Sequence, residues 1–181
     1  GVRAVLAPSG AGQCREAVRL LEADGGRILR GDARDRGTVL LDVGRATEFG
    51  SGLVSLADVV VLVAGGGVDA LAHVFAWREA QANPGTAPVV LAVVGACPYS
   101  QEEVAGALGF ESVVLVPSSP RSAGILRGAS AGQLHASGWR RSGLLTAARR
   151  LGELVRKVMP ADETISVAQP PLALGAKVGA R

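Results

Sequence analysis

Residues 57–67 read ADVVVLVAGGG, an apolar run that ends in three glycines. The run does not alternate polar with apolar residues, which is typical of a strand buried on both faces of a parallel sheet. We predict a strand over residues 58–64. Similar runs rich in Val, Leu and Ala predict four further strands, at residues 2–7, 38–42, 88–96 and 112–117.

Segments with helical periodicity separate these runs, at residues 11–23, 68–82, 101–108 and 142–159. Ser100 with Glu103 three residues on predicts a capped start for the third helix. The apolar stripe of the last helix is predicted to consist of Leu144, Ala148, Leu151, Val155 and Val158. Strands and helices that alternate over residues 1–160 predict one α/β domain, a doubly wound, mostly parallel sheet flanked by helices. Residues 161–181 have no period, and we expect a flexible tail.

The composition excludes several classes of function. Aromatic residues make up 3% of the chain, too few for a platform on which single-stranded nucleic acid could stack. Two cysteines and two histidines cannot supply a disulfide framework or a four-ligand zinc site, and a cytoplasmic location is expected. The longest apolar runs are too short for a membrane span.

Ligands of doubly wound sheets bind beyond the carboxyl ends of the strands, so the loops there are the candidate sites. Asp42 ends a predicted strand; such an aspartate holds magnesium in P-loop ATPases, but it could equally cap a helix near Thr47. The glycines at 65–67 allow a sharp turn or, less often, an anion site. After the last strand, Ser118 or Ser119 can cap a helix that begins at Pro120.

The glycine-containing loops match neither of two phosphate-binding motifs in full. Gly10 and Gly12 match the first two positions of G-x-G-x-x-G, but Arg15 occupies the third, which favours a tight turn without a ligand. The pattern G-x-x-x-x-G-K-[ST] is absent from the chain. The sequence therefore contains no phosphate cradle of its own.

Charge is unevenly distributed along the chain. Residues 1–120 carry nine basic and thirteen acidic side chains, whereas residues 121–160 carry eight basic and one acidic. The basic residues of the last helix and of the segment before it predict a surface that binds DNA phosphates without sequence specificity. The alternative is a solvated helix surface whose cations suit the carboxyl end of the helix dipole. These residues are Arg140, Arg141, Arg149, Arg150, Arg156 and Lys157.

Five segments occur in an order that resembles one known family. They are VLLDVGR at 39–45, ADVVVLV at 57–63, VVG at 93–95, VLVPSSP at 114–120 and SGLL at 142–145. Together they resemble the ParA/MinD superfamily of deviant-Walker ATPases, in particular its actinobacterial MinD-like type, over residues 1–159. The resemblance implies a P-loop NTPase-like fold whose first strand and P-loop would lie upstream of residue 1.

The resemblance also implies roles for individual residues. Asp42 would orient magnesium, with Gly44 near the nucleotide, and Pro117, Ser118 and Ser119 would lie against the base. Gly95 and Ala96 stand where relatives often have an asparagine that reads adenine. ATP and Mg²⁺ are the implied cofactors of a form that includes a P-loop, and this chain alone is expected not to hydrolyse ATP.

The implied function is nucleotide-dependent positioning or partitioning of cargo, such as chromosomes, by a protein that forms homodimers and binds DNA and a protein partner. A first alternative is a pseudo-ATPase scaffold that keeps the fold and binds a partner through the last helix. A second is a Rossmann-like dinucleotide-binding protein that uses Gly10 and Gly12.

Overall fold

A computed structural model of the chain describes residues 5, 6, 8–26, 29, 37–45, 51–80, 87–126 and 142–159. These residues form three strands: β1 (Val60–Gly65), β2 (Val89–Val94) and β3 (Ser112–Val116). The helices are α1 (Ala11–Leu20), α2 (Ser51–Leu56), α3 (Val68–Ala80), α4 (Gln101–Leu108), α5 (Pro120–Leu126) and α6 (Gly143–Val158). A π-helical turn, Leu21–Gly25, continues α1.

The three strands form one parallel sheet in the order β1-β2-β3. Leu91 of β2 lies in register with Leu62 of β1 and Val113 of β3, so these side chains share one face of the sheet. Helices connect successive strands, as a parallel sheet requires. The structure confirms the predicted fold class, an α/β fold with a parallel sheet flanked by helices.

Helices α3 and α4 cover the face of the sheet that carries Leu91 and Val93. The principal core contains, from the helices, Leu71, Val74, Val104 and Leu108 and, from the strands and a loop, Leu91, Val93, Phe110 and Val113. Adjacent residues of β2 are fully buried on opposite faces, since Val90 and Leu91 are both at 0% exposure. Burial on both faces explains why the sequence of β2 is continuously apolar.

Helix α6 contacts β3 and β2 and packs over the other face of the sheet. Ala147 is its fully buried residue, and Leu151, Val155 and Val158 are half-buried. The predicted stripe was wrong at Ala148, which is exposed. With 3.6 residues per turn, the middle of the buried arc passes through residues 147, 151 and 158, and Ala148 falls at its margin.

Two of the five predicted strands are not strands in the described part of the chain. Val5 and Leu6 are outside any strand and almost fully exposed, and residues 2–4 and 7 lie outside the described ranges. Residues 38–42 form no ladder, and Leu40 is 92% exposed. An apolar run becomes a strand only when it pairs with the edge of a neighbouring strand, and the composition of the run does not show whether such an edge is available.

The predicted start of α4 is confirmed in detail. The Ser100 hydroxyl accepts a hydrogen bond from the Glu103 amide at 3.2 Å, and the Ser100 amide donates to the Glu103 carboxylate at 2.7 Å. This reciprocal capping box satisfies two amides that the first turn leaves without helical partners. Gly109 ends the helix with a φ of 65°, the left-handed conformation that glycine adopts at low cost.

Candidate functional site

The loops that follow the three parallel strands meet at the carboxyl edge of the sheet. The Gly66 amide donates to the Val94 carbonyl at 3.1 Å, and the Gly95 amide donates to the Val116 carbonyl at 2.9 Å. Each bond continues the pairing of the strands by one step into a loop. The loop after β1 is thereby attached to the end of β2, and the loop after β2 to the end of β3.

Gly66 is buried where the loops after β1 and β2 pack against each other. A Cβ atom at this position would lie 2.3 Å from the Ala96 carbonyl oxygen and 2.9 Å from the Cys97 Cβ. Only glycine fits this approach of backbone to backbone. Because the Gly66 amide is engaged by Val94, the structure favours the sharp-turn interpretation of the three glycines over an anion site.

The loop after β3 contacts the first residue of α6. A Cβ atom on Gly143 would lie 2.9 Å from Pro117 Cγ, so this glycine lets the helix start approach the loop. Ser142 caps α6, because its hydroxyl accepts from the Leu145 amide at 3.2 Å. Two of the segments on which the family resemblance rests, VLVPSSP and SGLL, therefore meet in space.

The two serines of this loop differ in their surroundings. The Ser119 hydroxyl donates to the Ser122 hydroxyl at 2.7 Å and accepts from the Ser122 amide at 3.4 Å, which caps α5 ahead of Pro120. This confirms the predicted helix start. Pro117 and Ser118 are exposed beside it and have room to contact a ligand.

Asp42 and Gly44 lie beside the outer edge of β1. The Asp42 carboxylate accepts a hydrogen bond from the Gly44 amide at 3.0 Å, and Gly44 has a φ of 76°. Both residues line a cavity of about 650 Å³ whose other walls are mainly apolar side chains of β1, α2 and Trp77. The residues at 46–50 lie outside the described ranges, so the helix predicted near Thr47 does too.

The cavity beside Asp42 does not include Pro117, Ser118 or Ser119. β1 and β3 are the two outer strands of the sheet, and β2 separates the Asp42 side from the Pro117 side. In the portion of the chain that the structure describes, no three His, Cys, Asp or Glu side chains cluster as a metal site. A single carboxylate holds magnesium only together with water and substrate phosphates, so the described residues do not form a complete nucleotide site.

Gly10 precedes α1 and Gly12 lies in its first turn, so these glycines belong to a helix start rather than to a strand-to-helix turn. Gly10 is the residue that precedes α1, and its carbonyl accepts from the Cys14 amide at 2.9 Å. Dinucleotide binding requires this glycine pattern to follow a strand, and Val5 and Leu6 form none. These observations favour the tight turn without a ligand.

One side of α6 carries four exposed cations: Arg149, Arg150, Arg156 and Lys157. We call this surface the cationic face. At 3.6 residues per turn the four residues fall within roughly 120° of the helix circumference, opposite the arc that packs on the sheet. Arg140 and Arg141, which were predicted to extend this surface, lie outside the described residues. Sequence reasoning missed the position of Glu153, which its spacing from the cations places within the same arc.

Comparisons with known proteins identify no relative of this chain. No family model matches it, and no match was found among curated proteins or solved structures. Across the described ranges, no helix combines the length and the apolar character that crossing a bilayer demands. Assignment of function therefore depends on the loops, the cationic face and the motif resemblance given above.

Proposed function

We propose that this chain is the C-terminal part of a ParA/MinD-like positioning protein and that it binds duplex DNA through the cationic face of α6. The observation that carries the proposal is the division of α6 into two sides. Ala147 and Leu151 turn toward the sheet, while the four cations are exposed. Duplex DNA presents a dense row of phosphates, which such a surface attracts without reading the bases.

The attachment of α6 to the rest of the domain supports this role. The helix packs on β2 and β3, Ser142 caps its first turn, and Gly143 contacts Pro117. A helix fixed at its start and along one side holds its cations in a constant arrangement. Less backbone entropy is then lost when phosphates bind.

In the proposed protein, a P-loop segment upstream of residue 1 would bind the triphosphate of ATP. The resemblance would give Asp42 a role at the magnesium ion and Pro117 with Ser118 a role at the base. The position of β2 between the Asp42 cavity and the Pro117 loop does not support one site shared by both. The parallel sheet places the loops after its strands at one edge, the edge at which doubly wound folds bind ligands. Homodimer formation and binding of a protein cargo belong to the same proposal.

A pseudo-ATPase scaffold is the second candidate, and a specific observation favours it. The amides of Gly66 and Gly95 donate hydrogen bonds to the carbonyl groups at the ends of neighbouring strands, so they are not free to bind a phosphate. The cavity beside Asp42 is also separate from the Pro117 loop. The sequence upstream of residue 1 distinguishes the two candidates. A segment like K-G-G-x-G-K-[ST] there supports the ATPase, whereas its absence from the full reading frame supports the scaffold.

The DNA-binding proposal is tested with the double variant Arg149→Ala, Arg150→Ala. Affinity for unrelated duplexes is measured by fluorescence anisotropy over a range of salt concentrations. If all four cations contact phosphates, the slope of log K against log salt is about −3.6, and the double variant reduces it to about −1.8.

The matched control is the double variant Arg15→Ala, Arg19→Ala, which removes two exposed arginines from α1. We expect this control to keep the affinity and the salt slope of the wild-type chain. Equal binding by the wild type and the Arg149, Arg150 double variant would remove the cationic face from DNA binding.

A further inference from the structure

We propose that Glu153 limits the affinity of the cationic face for polyanions, an inference that rests on the proposed DNA-binding function. Glu153 is the single acidic residue of α6 and of residues 121–160 as a whole. It is exposed, as are the four cations around it.

The spacing of Glu153 makes it a neighbour of every cation in the face. It follows Arg149 by four residues and Arg150 by three, and it precedes Arg156 by three and Lys157 by four. Residues three or four apart on a helix have Cβ atoms about 5–6 Å from each other. The carboxylate is therefore at the centre of the face, with one cation pair on each side along the helix axis.

No ion pair formed within the described residues engages this carboxylate. Among the described residues, the salt bridge that the structure contains joins Arg19 to Glu16 on α1, at 3.8 Å. Glu153 therefore presents its charge to solvent at the position where a row of phosphates would lie. Its helix cannot turn away from the polyanion, because the opposite side packs on β2 and β3.

A phosphate that contacts the flanking cations comes close enough to Glu153 to be repelled. The Debye length is about 10 Å at 0.1 M salt, so a carboxylate one helical turn from each contact is only partly screened. The repulsion opposes the attraction of the cations and keeps the bound state weak. A positioning protein must leave its surface again, and a central carboxylate shortens the time that it stays bound.

The test compares Glu153→Gln with the wild type, using a duplex of arbitrary sequence at 50 mM monovalent salt. Glutamine keeps the size and helix propensity of glutamate and removes the charge. We expect Kd to fall about threefold to tenfold. The difference should shrink as salt is raised, so that the variant has the steeper salt slope.

The matched control is Glu79→Gln, an exposed glutamate of α3, which packs on the opposite face of the sheet from α6. It changes the net charge by the same amount and should leave Kd within about twofold of the wild type, because the sheet lies between α3 and the cationic face. Circular dichroism confirms that both variants keep the helix content of the wild type.

The outcomes separate the inference from the proposed function. A wild type that binds with a clear salt slope while Glu153→Gln binds equally or more weakly overturns the role of Glu153 and leaves DNA binding in place. Absence of binding by the wild type and by Glu153→Gln, even at 20 mM salt, overturns both. A matching gain in affinity from Glu79→Gln would show a net-charge effect and would also overturn the inference.

Discussion

Among the described glycines, Gly66 is the one at which an added Cβ atom would make the closest contact, so substitution there is expected to lower stability the most. Its missing Cβ would lie 2.3 Å from the Ala96 carbonyl oxygen, within a buried contact between two backbones. We expect Gly66→Ala to force the two loops apart and to lower the free energy of unfolding by about 2 kcal/mol or more. Chemical denaturation monitored by circular dichroism measures this change.

Gly67 provides the control, because no atom lies within 4 Å of the position of its Cβ. Gly67→Ala should change the free energy of unfolding by less than about 0.5 kcal/mol. If the two variants are equally stable, the loops after β1 and β2 are not in the contact described.

Glu103 carries a pH dependence that follows from its capping box. Hydrogen bonding to the Ser100 amide, and secondarily to its hydroxyl, lowers the pKa of Glu103 below its ordinary value of 4.5. Because the folded-state pKa is below the unfolded one, the stabilising effect is complete above about pH 4.5 and is lost as the pH falls through the folded-state pKa. Protonation of this carboxyl group thus weakens the start of α4 in acid.

Ser100→Ala tests the box with two independent measurements. The free energy of unfolding at neutral pH should fall by about 1 kcal/mol, because the Glu103 amide loses its acceptor. In an NMR titration the pKa of Glu103 should move upward, toward its ordinary value, since the hydroxyl no longer stabilises the carboxylate. An unchanged pKa together with unchanged stability would mean that the box does not form in solution.

These residues also show what a sequence can and cannot predict at this scale. The capping box was predictable because its two members are three positions apart and need no other part of the chain. The requirement for glycine at position 66 could not be predicted from the sequence. The atoms that exclude a side chain there belong to Ala96 and Cys97, about thirty residues later in the chain.

Among the helices and strands, the rotation of α6 about its own axis can be tested by substitution. Ala147 is buried against the sheet and Ala148, its neighbour, is exposed. We expect Ala147→Glu to lower the free energy of unfolding by more than about 2 kcal/mol, because it places a charge in an apolar contact. The loss is measured as a shift in the urea midpoint at constant m-value.

Ala148→Glu is the matched variant, with the same chemical change one position along. It should cost less than about 0.5 kcal/mol, as expected for an exposed helical site. A larger loss from Ala148→Glu than from Ala147→Glu would show that the helix is rotated relative to its described position.

The helices were more predictable from sequence than the strands. Local signals set their limits: Ser100 and Ser142 cap α4 and α6, and Pro120 begins α5. The strands β2 and β3 fell inside two of the five predicted runs, and β1 extends one residue beyond a third, to Gly65. Residues 38–42 share the composition of those strands but form no ladder, since pairing depends on a neighbouring edge that composition does not encode.

At the scale of the whole molecule, the sheet is covered unevenly. β2 is buried on both faces, whereas Val61 and Val63 of β1 are 39% and 64% exposed on the face where α6 covers the other strands. β1 is also an outer strand in the described sheet, so one side of its backbone has no strand partner there. Exposed apolar edge strands promote association between copies of a protein.

Val63→Lys should therefore reduce self-association at high protein concentration, with little change in the urea midpoint, because the side chain is largely in solvent. Light scattering and sedimentation velocity measure the association. The control, Val93→Lys, places the same charge at a fully buried position and should prevent folding. If Val63→Lys unfolds the domain to the same extent, the exposed face of β1 is covered in solution.

The class of fold was predictable from the order of apolar runs and helices, because each signal is local and repeated. The candidate site was less predictable. The resemblance assigns Asp42 and the Pro117 loop to one nucleotide, whereas the described structure places them beside opposite outer strands. Distance across a sheet depends on strand order, which the sequence does not state. The basic composition of α6 is evident from the sequence. The central position of Glu153 became evident only from the arrangement of the four cations around the helix.

The hydrogen bonds that extend past the strand ends link distant parts of the domain in series. The start of α6 touches Pro117, the residue before Pro117 holds the amide of Gly95, and the residue before Gly95 holds the amide of Gly66. The start of α6 is therefore connected to the glycine turn after β1 through one contact and two backbone hydrogen bonds.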